Sequence, residues 1–175
     1  MKTLIVYTSQ TGFTEKYAKW LAERAQGDVL ELKEAQKKPE TFFDGYDAIV
    51  YGGWAMAGKV VKVNWFYDKA KNWKDKRLAV FCVGGSPNGA PETKVFLEGA
   101  VPAELSAYIK PFYCQGGFNY ERMNGASKLA MKMFIAVQKK KAVTDEQKKM
   151  AEMISSSYDV SDAKYVEPIA EYLEA

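Results

Sequence analysis

Four hydroxyl residues, Thr8, Ser9, Thr11 and Thr14, fall within seven positions around Gly12, just after the apolar run Leu4 to Tyr7 and at the start of a helix-patterned segment. The first amides of a helix have no partner inside it and point outward, and the helix dipole adds about half a positive charge there. A phosphate monoester satisfies both. The hydroxyls of Ser9, Thr11 and Thr14 can donate further hydrogen bonds to it, and Gly12 lets the backbone come close. One hydroxyl is enough for a helix cap, so this run carries more than capping needs. It also lacks the Gly-Lys-Ser/Thr ending of a loop for nucleoside triphosphates.

The remaining residue types narrow the chemistry by what they leave out. The 175 residues include no histidine, which removes imidazole bases, Ser-His and Cys-His pairs and histidine-ligated metals. Cys82 and Cys114 lie in apolar runs without a Cys-x-x-Cys pair or metal-ligand spacing, so both are expected to be buried, reduced thiols and no metal site is assigned. No side chain stands out as a general base, and no catalytic residue is named. Chemistry here has to come from a bound cofactor or from carboxylates, lysines and hydroxyls.

These residues need a scaffold, and the apolar pattern supplies one. Strands are expected at Thr3 to Tyr7, Asp28 to Leu32, Ala48 to Tyr51, Leu78 to Val83 and Ile109 to Cys114, with helices at Thr14 to Gln26, Val60 to Asn72 and Pro91 to Gly99. A lysine-rich loop runs to Pro39, and a closing helix begins near Glu167 with Pro168 in its first turn. Strands alternating with helices imply an α/β fold with a parallel sheet, right-handed crossovers and helices on both faces. Ligands then sit beyond the C-terminal strand ends. The loops Gly52 to Gly58, Gly84 to Gly89 and Gly116 to Gly117 would join the hydroxyl loop on that rim, and Trp54 is available to stack on a flat ring.

Composition is that of one globular domain over 1–175, with 47% hydrophobic and 27% charged residues. No apolar run approaches a membrane span, and the N-terminal apolar stretch is too short for a signal peptide, so the expected location is cytoplasmic. Formal net charge is +3, with lysines dense at Lys128, Lys132, Lys139, Lys140, Lys141, Lys148 and Lys149. No aromatic-interleaved basic stripe accompanies them, so nucleic acid is not an expected partner.

Ser9-x-Thr11-Gly12-x-Thr14-Glu15 resembles the FMN phosphate fingerprint of the flavodoxin family. Tyr46 to Gly52 is similar to that family's lead-in to the third strand, and Gly84-Gly85 sits where its second ring-binding loop would be. The match covers about residues 1–118. The resemblance implies a flavodoxin-like three-layer fold whose five parallel strands take the order 2-1-3-4-5, with FMN bound noncovalently. Ser9, Thr11, Gly12 and Thr14 would hold the phosphate, with Gln10 and Phe13 also in the cofactor site. The isoalloxazine would lie between the loop of Gly53, Trp54, Ala55, Met56, Ala57 and Gly58 and the loop Gly85 to Asn88, with Ser86 and Asn88 in the latter, and Gly84 and Gly116 are also expected to bind the cofactor.

Two features depart from that pattern. Carrier flavodoxins tend to be strongly acidic, whereas this chain is mildly basic. An extra helical segment at about 120–158 follows the matched region, and its stretch Ser127 to Lys141 is similar in placement to the insertion of FMN-dependent protoporphyrinogen dehydrogenases. Leu129, Met133, Phe134 and Val137 share one helical face bordered by lysines. Three readings stay open for it: a core helix, the wall of an apolar substrate or quinone pocket, or a peripheral membrane contact, the last not favoured. The function expected is that of an FMN-binding redox protein, linked to a redox partner protein or to a small apolar substrate such as a quinone or porphyrinogen. The alternatives are a one-electron carrier serving a reductase and a flavin-free regulatory module of the same fold.

Overall fold

Successive side chains of a strand point to opposite faces, so a strand that is apolar at every position has to be covered twice. Strand β1 (Thr3–Tyr7) fits that description, with Leu4, Ile5 and Val6 fully buried. The structure, a computed structural model describing residues 1–175, places it as an interior strand of a parallel sheet. Helix α1 (Phe13–Ala25) follows, then β2 (Asp28–Glu31), the short helices α2 (Leu32–Ala35) and α3 (Glu40–Asp44), and β3 (Ala48–Met56). A two-residue strand β4 (Lys59–Val60) folds back on β3, and helix α4 (Asn64–Ala70), β5 (Arg77–Gly84), α5 (Pro91–Gly99) and β6 (Ile109–Gln115) complete the sheet.

The parallel strands take the order β2-β1-β3-β5-β6, with β4 antiparallel on β3. Counting only the five parallel strands, this is the order 2-1-3-4-5. Leu4, Val6, Ile49, Tyr51, Leu78 and Val80 face one layer, where Phe43 of α3 and Phe66 of α4 pack. Ile5, Val50, Ala79, Phe81 and Val83 face the other, against Tyr17 and Leu21 of α1 and Ile169 and Leu173 of the last helix. Burying each of these larger side chains contributes about 1.5–3 kcal/mol.

The sheet corrects one element of the sequence reading. Gly52 to Gly58 is not a loop, because β3 runs on to Met56 and turns at Ala57 and Gly58, whose φ angles are 50° and 76°. Both central residues having positive φ is the geometry of a tight hairpin. The glycines do not break the strand because they make room for neighbours: a Cβ at Gly52 would stand 2.1 Å from the Phe81 ring, and one at Gly53 would stand 2.7 Å from Val60. The next helix starts at Asn64 rather than Val60, since Val60 pairs with Ala55 and Lys62 has a φ of 57°. The lysine-rich loop contains α2.

After β6 comes an excursion. Strand β7 (Gly117–Phe118), a 3-10 turn at Tyr120–Arg122, helix α6 (Gly125–Lys141) and helix α7 (Asp145–Met153) precede β8 (Tyr158–Asp159), which pairs antiparallel with β7. Helix α8 (Glu167–Glu174) then closes the chain, with Pro168 in its first turn. Arg77 donates to the carbonyls of Leu173 (2.7 Å) and Tyr172 (3.2 Å) at its C-terminus, where the dipole favours a cation.

Helix α6 is not a core helix. None of its residues is buried, and Leu129 and Met133 are 61% and 65% exposed. The half-buried positions are Ser127, Met131, Ile135 and Gln138, a stripe at helical spacing, while of the more apolar stripe Leu129, Met133, Phe134 and Val137 only Phe134 borders a cleft. No helix in the structure is long and apolar enough to cross a membrane.

Candidate functional site

The loop between β1 and α1 is shaped by its own residues. The Thr8 amide donates to the Gly52 carbonyl at 2.9 Å, and the Gly12 amide donates to Ser9 Oγ at 3.1 Å. Gly12 has a φ of 100° and stands at the N-cap of α1, and no side chain caps the helix. Ser9 is therefore the residue that sets the turn, although its own proton stays free to donate. The open amides, the left-handed glycine and the adjacent Thr11 and Thr14 together make an anion cradle.

Two clefts meet at this loop, and a third opens off the first of them. The main one, about 390 Å³, is lined by Gln10, Thr11, Phe13 and Thr14, by Trp54, Ala55, Met56 and Ala57 of the hairpin, and by Val83, Gly84 and Gly85 at the end of β5. Gly117 and Phe118 of β7 close one side, with Met123, Ser127, Ala130, Met131 and Phe134 of the insertion over the top. A second cleft of about 380 Å³ lies at the loop itself, between Thr11, Gly12 and Lys16 on one side and Asn119, Arg122 and Tyr158 on the other. A third, about 440 Å³, opens beyond Phe134 between the Gly85 to Pro87 loop and helices α6 and α7. Phe118 borders all three, and its ring meets that of Tyr158 edge-on at 5.5 Å.

The residues singled out from sequence separate into groups. Gln10, Thr11, Phe13, Thr14, Trp54, Ala55, Met56, Ala57, Gly84 and Gly85 share the main cleft, while Gly12 borders the second and Ser86 the third. Gly58 is at the outer turn with open space around it, and Gly53 is packed under Val60. Asn88 is held by Gln115 Oε1 (3.3 Å) and the Tyr113 carbonyl (3.2 Å). Gly116 is pressed against Val83, where a Cβ would come within 2.7 Å. Val83, Phe118, Lys16 and Arg122 carry no signal in the sequence, Gly117 is expected only as a rim glycine, and Phe134 only as part of an apolar helical face. Phe118 and Arg122 arrive only because β8 returns to pair with β7, a tertiary event that leaves no local signal.

Electrostatics at the loop are set by a few pairs. Lys16 Nζ bonds Asp159 at 2.9 Å and Ser161 Oγ at 3.0 Å, and Glu15 pairs with Lys19 at 2.7 Å. Burial works against ionisation of Asp159, but bonds from Lys16 and Ser161 outweigh it and hold the carboxyl below the usual aspartate range. A carboxylate with a depressed folded-state pKa stabilises the fold above its unfolded value, about 3.9, and loses that contribution as pH falls through the folded one. Asp159→Asn is thus expected to lower the melting temperature by a constant amount from pH 8 to about pH 5, with the gap from the parent protein closing below about pH 4. Thermal melts of the two proteins across that range check it.

No thiol or phenol here is poised for proton transfer near neutrality. Burial pushes Cys82 and Cys114 upward, and both are free and buried. Burial also raises Tyr158 to about 12, so its hydroxyl stays a donor, facing the Gly85 carbonyl at 3.4 Å. What the arrangement offers is an anion cradle beside an apolar cleft of a size for a flat ring.

A family model described as a flavodoxin domain matches residues 4–145. The chain matches no curated protein in sequence. Among solved structures, it is similar to a flavodoxin from the domain Archaea at 13% identity, covering all of both chains with a TM-score of 0.46. It is also similar to a WrbA-like flavodoxin from Agrobacterium tumefaciens (21% identity, 74% of this chain and 89% of that one, TM-score 0.44). A third is a flavoprotein in complex with FMN from Lactobacillus acidophilus (18% identity, 65% and 91%, TM-score 0.44).

Proposed function

The chain belongs to the flavodoxin-domain family, and on that premise we propose that it binds FMN and works as a redox protein. The observation that carries this reading is one continuous cleft joining the uncapped N-terminus of α1 to the Trp54 hairpin and the Gly84-Gly85 strand end. The residues fit the group: Gly12, with its left-handed φ, lets a phosphate reach amides that no side chain caps, with Thr11 and Thr14 beside them. Ser9 holds the turn in shape. Trp54 and Met56 on one wall and Gly84, Gly85 and Phe118 on the other offer apolar surface to the ring and keep water from it. FMN, when bound, supplies the electron-accepting and electron-donating chemistry. The chain's own task is to position it, consistent with thiols and phenols held protonated by burial.

The visible spectrum tests this directly. The purified protein is expected to be yellow, or to become so on adding FMN with quenching of flavin fluorescence. A colourless preparation that takes up no FMN would favour the flavin-free module instead.

The third cleft favours an oxidoreductase acting on a small apolar molecule, of quinone or porphyrinogen type, over a carrier that meets only other proteins. It adjoins the main cleft across Phe118 and Phe134 and has Lys141 at its edge, so an apolar acceptor would lie one aromatic layer from the ring. Assays of FMN-loaded protein with quinones, porphyrinogens and reductase proteins separate the two: turnover confined to protein partners would support the carrier.

A further inference from the structure

The second cleft contains a cation that the first-loop reading does not use. A Cβ placed on Gly12 would stand 2.7 Å from Arg122 Nη1, so the guanidinium lies directly over the loop's glycine. It borders the same cleft as Thr11, Gly12 and Lys16. The neighbouring charges are already taken: Asp159 by Lys16, Glu15 by Lys19, and Glu121 by Ser157 Oγ at 2.6 Å. Arg122 makes no ion pair and its side chain makes no hydrogen bond. Its backbone is nevertheless held, since its amide donates to Asn119 Oδ1 at 3.1 Å and the Tyr120 amide donates to Ser157 Oγ at 3.0 Å. The Tyr120 hydroxyl also bonds the Ile154 carbonyl. An uncompensated guanidinium on an anchored turn, facing an anion cradle built by another part of the chain, is an incomplete ion pair.

We propose that Arg122 completes the phosphate site, pairing with the phosphate monoester of the bound flavin. The insertion's root thereby sets the preference for the phosphorylated cofactor. The proposal rests on the reading that the main cleft takes FMN. A guanidinium presents two parallel donors to phosphate oxygens, adding to the open amides of α1, whereas Lys16 is held away by Asp159 and Ser161. The cradle then has two halves: the loop supplies amides and hydroxyls, and the turn after β7 supplies charge. Cofactor binding would in turn tie the base of the insertion to the sheet, so the same contact links occupancy of the ring cleft to the position of α6 above it.

Flavin-fluorescence titrations with FMN and with riboflavin, which has no phosphate, test this on the parent protein, Arg122→Gln and Arg122→Lys. Arg122→Gln is expected to weaken FMN about tenfold or more, since a hydrogen bond to a charged group carries that order of affinity, while leaving riboflavin unchanged. Its FMN affinity should fall less steeply with salt, and Arg122→Lys should recover part of the loss. Equal loss for both flavins would mark a structural role, and unchanged FMN affinity would show that the guanidinium lies outside the phosphate site; either overturns the proposal. A parent protein that binds neither flavin would instead overturn the cofactor reading, and the Arg122 assignment with it.

Discussion

Gly12→Val is expected to leave a folded protein whose affinity for FMN is lower by about two orders of magnitude. Gly12 has a φ of 100°, a region where a β-branched residue costs about 1–3 kcal/mol. The chain has two ways to respond, and both damage the site. If the loop keeps its shape, the new Cβ stands 2.7 Å from Arg122 Nη1 and fills the approach to the first-turn amides of α1. If the loop relaxes to negative φ, the Gly12 amide leaves Ser9 Oγ and the amides no longer converge. A loss of about 1–3 kcal/mol corresponds to about 5- to 150-fold in affinity, and blocking the approach adds to it. Gly89→Ala is the control: it also has positive φ, at 80°, but open space around it and no place in the clefts, so it should lower the melting temperature slightly and leave FMN binding alone. Flavin-fluorescence titration beside thermal melts checks both, and parent-like affinity in Gly12→Val would remove the loop from the phosphate site.

How far such a site can be read from sequence depends on whether its residues act locally. β1 and β5 are legible because burial on both faces makes them continuous apolar runs, and the hydroxyl loop is legible because a strand-to-helix turn is a local event. The third strand hides its second half. Gly52 and Gly53 look like a loop when nothing shows that Phe81 and Val60 occupy the space their side chains would have filled. The wall of the cleft contributed by Phe118 and the cation Arg122 is illegible for a different reason. Their position depends on β8, about forty residues further along the chain, returning to pair with β7. The apolar stripe of α6 is legible only in part, because amphipathicity says that one face differs from the other and not which face turns inward: Phe134 reaches the clefts while Leu129 and Met133 stay exposed, and the half-buried stripe runs through Ser127, Met131, Ile135 and Gln138.

That return of β8 makes Gly117 the most vulnerable position in the insertion. Gly117→Ala would place a Cβ 2.0 Å from the Tyr158 carbonyl oxygen and 2.9 Å from its carbon, both backbone atoms that cannot swing aside. The β7–β8 ribbon has to open, and it has only two residue pairs, Gly117 with Asp159 and Phe118 with Tyr158. With it go Phe118, which borders all three clefts, and the Tyr120 to Arg122 turn. Overpacking of this kind costs about 1–3 kcal/mol, or about 2–12 °C in melting temperature for a chain of this size. The sheet core is untouched, so the protein should remain folded while the segment between Tyr120 and Ser157 becomes more sensitive to protease. FMN affinity should fall, and FMN should lose its advantage over riboflavin if Arg122 departs with the ribbon. Gly125→Ala lies in the same segment at the start of α6 with open space around it, and there helix propensity favours alanine by up to about 1 kcal/mol. The two substitutions are chemically identical and only eight positions apart, yet they should move the melting temperature in opposite directions. A parent-like melting temperature and proteolysis pattern in Gly117→Ala would mean that the insertion is held to the sheet by contacts other than this ribbon.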